Sequence, residues 1–241
     1  EKIGILVKSK IEFILFEPSH PGNVGAAARA IKTMGFETLC LINPTEHPHP
    51  EARARSSGAL DVLLNAEVFD NLHDAIKGCG LIIGTTSRSR RISVPITNIR
   101  ETAPSIVAEA KQKPVAVIFG PEKSGLINKQ VDCCNQLVNI PSTGSYKSLN
   151  LAMAVQIVAY ELRVASEALP SAIRARNLAS NDEIELFYNH LNQVLLETGF
   201  LDPKNPKQLM RRLRTLFNRA QMDENEINIM RGILASYKTQ Q

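Results

Sequence analysis

The sequence predicts an α/β protein built on a parallel sheet, followed by a small all-α extension. Three observations carry that reading. Short runs that are apolar throughout, such as Val115–Phe119, alternate with helical segments, as strands buried on both faces do. Glycine-bearing or polar loops follow four of these runs, where ligands bind on such sheets. After about residue 180 the strands stop and three helical segments follow.

Residues 11–16, Ile-Glu-Phe-Ile-Leu-Phe, read as the first strand, ended by Pro18. Asn23 is the expected N-cap of a helix over Val24–Met34 that stops at Gly35. Thr38–Ile42 is the second strand, closed by Asn43-Pro44. His47-Pro48-His49-Pro50 reads as a loop. Short helices follow at Ala59–Leu64 and Leu72–Lys77, with Val68-Phe69 between them. Leu81–Ile83 is a strand, and the Ser-, Thr- and Arg-rich stretch Thr85–Arg91 is a loop. A helix is expected at Ile106–Lys111, strands at Val115–Phe119 and Leu137–Ile140, and a long apolar helix over Ser148–Ala168. Pro170–Ser180 reads as a linker. Ser180 with Glu183, and Asp223 with Glu226, form capping-box patterns for the first and third helices of the extension. The second helix is expected over Pro206–Ala220.

The chain has 241 residues, 44% of them hydrophobic and 22% charged, so it can bury a sizeable core and wholesale disorder is excluded. Its 28 basic and 24 acidic residues leave a charge of +4, compatible with a nucleic-acid partner without establishing one. With no Trp and 5% aromatics, a surface that works mainly by stacking bases on many rings is disfavoured. Cys40, Cys79, Cys133 and Cys134 include no C-x-x-C pair and read as reduced thiols of a cytoplasmic protein. No apolar run reaches the roughly 18 residues of a membrane span, and no signal peptide is read near Lys2–Lys10. His47 and His49 lack a third ligand nearby, so no metal is expected.

Three stretches carry chemistry. Asn23-Val-Gly-Ala-Ala-Ala-Arg29 opens a helix with small residues that allow close approach, but its G-x-x-G spacing at Gly22 and Gly25 is not the G-x-G-x-x-G of a dinucleotide site. A phosphate-binding G-x-x-x-x-G-K-[ST] is also absent from the chain. Phe119-Gly-Pro-Glu-Lys-Ser-Gly-Leu126 places Glu122 between two glycines at a strand end, to bind a ligand or hold a loop. Asn139-Ile-Pro141 leads through Gly144 to Ser148-Leu-Asn150, whose polar side chains either cap the long helix or meet a ligand at its exposed N–H groups. Each stretch alone is equally an ordinary turn.

In this order the three resemble the motifs of the SpoU/TrmH-type branch of the SPOUT RNA 2′-O-ribose methyltransferases, over about residues 11–165. Glu17-Pro-Ser-His20 and Asn228-Ile-Met-Arg-Gly-Ile-Leu234 resemble, more narrowly, a bacterial group acting on tRNA. The resemblance implies S-adenosylmethionine-dependent methylation of the ribose 2′-OH of a pyrimidine (C/U, position 32) in the tRNA anticodon loop. It implies a parallel sheet with a C-terminal trefoil knot, an exception among folds, and a homodimer with its active site at the subunit interface. It divides the chain into a methyltransferase domain (1–165), a linker (166–180) and a helical extension (181–241) for RNA recognition or dimer contact. By motif position it makes Arg29 catalytic, with Asn23, Glu122, Ser148 and Asn150 shaping the site. It places the cofactor at Thr85, Thr86, Ser87, Gly120, Ile140, Lys147, Ser148 and Leu149. Ser142 departs from the pattern, since many members carry Met there, which puts the packing of that loop in question.

RNA contact is expected from Arg88, Arg90 and Arg91 and from Arg211, Arg212 and Arg214, two patches expected to flank the site. The second belongs to a run of six basic residues without an acid, Lys204 to Arg219. The alternatives are a nucleotide-dependent oxidoreductase, which the missing glycine fingerprint disfavours, a non-catalytic RNA-binding relative, and a methyltransferase for another tRNA position or rRNA. Arg29 is an awkward base, because a guanidinium only donates and its pKa exceeds about 12. It is expected to orient RNA phosphate and stabilise oxyanion charge.

Overall fold

The computed structural model describes residues 10–87, 94–143, 148–168 and 176–238. Among them, seven strands form one sheet: β1 (Ile11–Phe16), β2 (Thr38–Ile42), β3 (Glu67–Phe69), β4 (Leu81–Thr85), β5 (Ile96–Asn98), β6 (Val115–Phe119) and β7 (Gln136–Asn139). Their order is β3-β2-β1-β6-β4-β7-β5, and every neighbouring pair is parallel. The continuous apolarity read in the sequence follows from this placement, because both faces are covered. Phe13, Leu15, Ile83, Val117 and Phe119 point into one core, with α1 (Pro21–Thr33), α5 (Ile99–Glu109) and α7 (Leu151–Ala168) above them. Ile14, Ile82, Ala116 and Ile118 point into the other, under α4 (Leu72–Ala75) and α6 (Asn128–Val131).

Several elements differ from the expectation. The first helix begins at Pro21, and His20, not Asn23, caps it: Gly22 N–H donates to His20 Nδ1 at 3.1 Å. The His-Pro segment expected to be only a loop repeats this device. His49 Nδ1 accepts from Glu51 N–H at 3.1 Å and starts α2 (Pro50–Ser56), ahead of α3 (Leu60–Leu64). In both helices proline occupies a first-turn position whose N–H has no helical partner. Helix α5 begins at Ile99 and runs through Pro104, seven residues before the expected start. The three-residue β5 has no counterpart in the sequence reading, being too short to show a period.

The extension consists of α8 (Asn181–Glu197), α9 (Leu209–Ala220) and α10 (Glu224–Lys238). Both expected capping boxes are present. Ser180 N–H and Oγ donate to Glu183 at 2.6 and 2.7 Å, and Asp223 and Glu226 exchange backbone-to-side-chain bonds at 2.9 and 2.8 Å. Its core gathers Ile184, Phe187, Tyr188, Leu191 and Ile227, with Phe217 edge-on to Phe187 at 4.9 Å between centroids.

This extension docks where the strands begin. Asn181 N–H donates to Cys79 O just before β4, and Lys113 Nζ, just before β6, pairs with Glu224 and lies 3.7 Å from Glu183. Asn218 Nδ2 donates to the Asp132 and Cys134 carbonyls just before β7. None of the four cysteines is joined in a disulfide. Among the described residues no helix is long and apolar enough to cross a membrane.

Candidate active site

The opposite edge, where strands end, is open. A cavity of about 250 Å³ is lined by Thr85, Thr86 and Ser87 at the end of β4, by Phe119–Lys123, Gly125 and Leu126 at the end of β6 and in its loop, by Val138 and Ile140 at β7, and by Ser148, Leu149, Leu151 and Ala154 at the start of α7. That is just below the roughly 300–1,000 Å³ usual for small-molecule sites. The loops are fixed by their own backbones. Thr85 Oγ1 donates to Ile118 O at 3.0 Å, and Thr86 N–H donates to Val138 O at 2.9 Å. Gly125 takes φ +60° and donates its N–H to Pro121 O at 2.8 Å. A Cβ on Gly120 would overlap the Gly125–Leu126 backbone, so only glycine lets the turn close against the strand end.

Glu122 is the hub of the rim. Its Oε2 accepts from Ser19 N–H at 3.0 Å and Ser19 Oγ at 2.9 Å, and its Oε1 from His20 N–H at 3.3 Å and Asn23 Nδ2 at 2.9 Å. Partial burial pushes its pKa up, but the bonds from Asn23 and Ser19 together outweigh burial and hold the carboxyl below its ordinary value. Asn23 Oδ1 in turn accepts from Asn150 Nδ2 at 2.9 Å. The Oδ1 of Asn150 accepts from Ala152 and Met153 N–H at 2.9 and 3.4 Å, capping α7. One chain of bonds thus joins the start of α1, the β6 loop and the start of α7. Glu122 therefore braces that junction, and it also lines the cavity.

Seven of the eight residues chosen for a cofactor line the cavity: Thr85, Thr86, Ser87, Gly120, Ile140, Ser148 and Leu149. Lys147, like Arg88, Arg90 and Arg91, lies outside the described residues. Arg29 is exposed on α1, two turns beyond Asn23, and does not line the cavity. Helix α1 is seated against α2 so closely that a Cβ on Gly25 would overlap the Ala52 carbonyl oxygen. Ser19 and His20 are rim donors that the motif positions do not indicate. The usable signal was Pro21, which marks a helix start two residues earlier than Asn23 does.

The basic helix is elsewhere. Arg211 Nε donates to both Asp132 carboxylate oxygens at 3.0 and 2.8 Å. The Arg214 guanidinium pairs with Glu185 and sits 4.2 Å over the Tyr188 ring. Both therefore stand in intramolecular pairs at the docking edge, and α9 does not flank the cavity as expected. Arg212 and Arg219 are exposed. Among the described residues, no group of three or more His, Cys, Asp or Glu could hold a metal.

Comparison with known proteins agrees with this geometry. Residues 10–160 match the SpoU rRNA Methylase family, and residues 182–241 match the C-terminal domain of the tRNA methyltransferase TrmJ. The tRNA (cytidine/uridine-2′-O-)-methyltransferase TrmJ of Klebsiella pneumoniae is 44% identical over 236 residues, 95% of this chain and 97% of the relative. That of Salmonella typhimurium is 45% identical over 95% of this chain and 97% of its own. The crystal structure of TrmJ from Z. mobilis superposes with a TM-score of 0.82 at 31% identity, covering 94% and 98% of the two chains. With the α/β part matched as a family and close relatives spanning nearly its whole length, the chain belongs to the SpoU methylase family.

Proposed function

We propose that the chain methylates the ribose 2′-hydroxyl of a pyrimidine in the tRNA anticodon loop, at position 32, using S-adenosylmethionine. The observation that carries this is the bonded chain Glu122–Asn23–Asn150, which fixes three motif segments around one cavity beside the helix bearing Arg29. The substrate class comes from the 44–45% identical relatives, whose names state cytidine/uridine 2′-O-methylation of tRNA.

The residues present fit the cofactor. Among the lining residues Thr85, Thr86, Ser87 and Ser148 offer polar groups, and Leu126, Val138, Ile140 and Leu151 apolar surface. These, with Gly120, Lys147 and Leu149, would hold it. S-adenosylmethionine, when bound, supplies an electrophilic methyl on a sulfonium. Arg29 orients the RNA backbone and stabilises charge developing on the 2′-oxygen, while the proton leaves to a phosphate oxygen or water. Asn23, Glu122, Ser148 and Asn150 position these parts. Exposed Arg212 contacts RNA phosphate together with Arg88, Arg90 and Arg91, and Arg211 and Arg214 hold the helix that presents it.

The placement of β7 between β4 and β5 supports a knotted C-terminal part of the catalytic domain (1–165), with 166–180 as linker and 181–241 as the recognition extension. The exposed stripe Leu149, Met153, Tyr160 and Val164 on and before α7 supports a homodimer whose interface borders the site. The cytoplasm, where tRNA resides, is the expected location. Tritiated-methyl transfer to bulk tRNA, followed by nucleoside mapping, tests the reading. The expected product is 2′-O-methylated cytidine or uridine from position 32, and label mapped to another tRNA position, or no label in tRNA, would overturn it.

A further inference from the structure

The most exposed large apolar side chain among the described residues is Phe200, at 71%. It stands at the far end of α8, whose 17 residues carry it about 24 Å along from the docking edge. The loop presenting it is pinned on both sides. Gly199 takes φ +72°, which reverses the chain after α8. Leu201 N–H donates to Leu195 O at 2.9 Å, and the Leu201 side chain is buried. On the other side Asp202 Oδ1 accepts from Lys204 N–H at 2.8 Å, and at the end of α8 Glu197 Oε1 accepts from Gln193 Nε2 at 2.6 Å, so both carboxylates near the ring are bonded within the chain. Lys204 and Lys207, four and seven residues on, are exposed, as is Arg212 on α9. A ring held out into water on a braced loop, with exposed cations four and seven residues on, is a poor site for an apolar partner and a good one for a stacked base between phosphates.

We infer that Phe200 is a stacking platform for an unpaired base of the RNA substrate, with Lys204 and Lys207 on the flanking phosphates. Sequence-tolerant recognition of single-stranded RNA works through such aromatic faces and cationic neighbours. The inference rests on the tRNA reading above and adds a contact that the cavity does not contain.

The chain has no Trp, so Phe200→Trp installs a single reporter at this position. Titration with tRNA is expected to quench its emission saturably, with a midpoint that shifts upward with salt. Phe200→Ala is expected to raise KM for tRNA roughly 5- to 100-fold, the range of one lost base stack. In that variant kcat and S-adenosylmethionine affinity stay unchanged, and Phe200→Tyr restores KM. Methyl transfer by Phe200→Trp without quenching overturns the inference and leaves the functional reading intact. Quenching without methyl transfer by the wild type does the reverse. A blue shift that grows with protein concentration in the absence of RNA assigns the ring to a second copy of the chain, and also overturns the inference.

Discussion

At the edge where the strands end, Glu122 gathers donors from Ser19, His20 and Asn23 across about a hundred residues of sequence and leaves a cavity beside them. At the edge where the strands begin, Lys113 and Asp132 reach as far along the chain, to Glu224 and Arg211, and close a contact. The building blocks are alike: charged side chains bonded over long sequence separations. What differs is the backbone they act on. On the cavity side they tie glycine-bearing loops to one another and keep space between them. On the docking side they tie helices to strand starts and fill the space. A charged residue is therefore not a ligand contact by virtue of its charge, and the partner it meets decides its role.

The largest effect should come from Arg29, exposed on α1 and outside the bonded chain of the rim. Arg29→Ala is expected to lower kcat for methyl transfer by about 10²–10³, the cost of removing one oxyanion donor. Arg29→Lys should recover little of it, because a point charge lacks the planar fork. Tm and cofactor affinity should stay at wild-type values in both variants, measured by thermal melts and calorimetry. Full turnover in Arg29→Lys would remove bidentate contact from the mechanism.

The next effect probes how the cavity side is seated. Gly25→Ala forces α1 away from the Ala52 carbonyl and should cost about 1–3 kcal/mol in urea unfolding. The shift carries Asn23 with it, so KM for the cofactor should rise in the folded variant. A fully stable Gly25→Ala would mean that α2 follows α1 freely and does not seat it.

The third comparison separates neighbours on α9. Arg211→Gln removes the pair with Asp132 and should cost about 1–3 kcal/mol while leaving the salt dependence of tRNA binding unchanged. Arg212→Gln should leave stability unchanged and reduce the slope of log K against log salt by roughly 0.7–0.9. Equal salt slopes in the two variants would show that pairing at the docking edge does not withdraw Arg211 from RNA.

Much of the fold was readable because strands buried on both faces must be apolar throughout, and Val115–Phe119 shows this without ambiguity. The capping boxes at Ser180 and Asp223 were readable for the same local reason. His20 and His49 were not, because a ring nitrogen that accepts from the residue two positions on leaves no pattern beyond the following proline. The first half of α5 was not readable, because its interior Pro104 is a local breaker that tertiary packing of Ile99 and Ala103 overrides. The cavity residues were found through motif order. The engagement of Arg211 and Arg214 was hidden, since Asp132 and Glu185 lie 79 and 29 residues away and spacing carries no sign of them.

The smallest effect compares the two edges through acid. Glu122 and Glu183 both have lowered pKa values. Burial raises each, and it is more than offset by hydrogen bonds, chiefly from Asn23 and Ser19, in the first case and by the bonds of Ser180 with the charge and hydrogen bond of Lys113 in the second. Such a carboxylate binds fewer protons folded than unfolded, so its contribution is complete above the ordinary value near 4.5 and is lost as pH falls through the folded value. Both groups are partly exposed, and solvent screening keeps each contribution small. The two should nonetheless fail differently. Below about pH 4.5, Glu122→Gln should flatten the acid loss of cofactor affinity, because the rim no longer depends on a charge. Glu183→Gln should leave that curve as in wild type and flatten the acid loss of protease protection in the extension. Identical acid profiles for the two variants would mean that the edges are coupled through the sheet and not held independently.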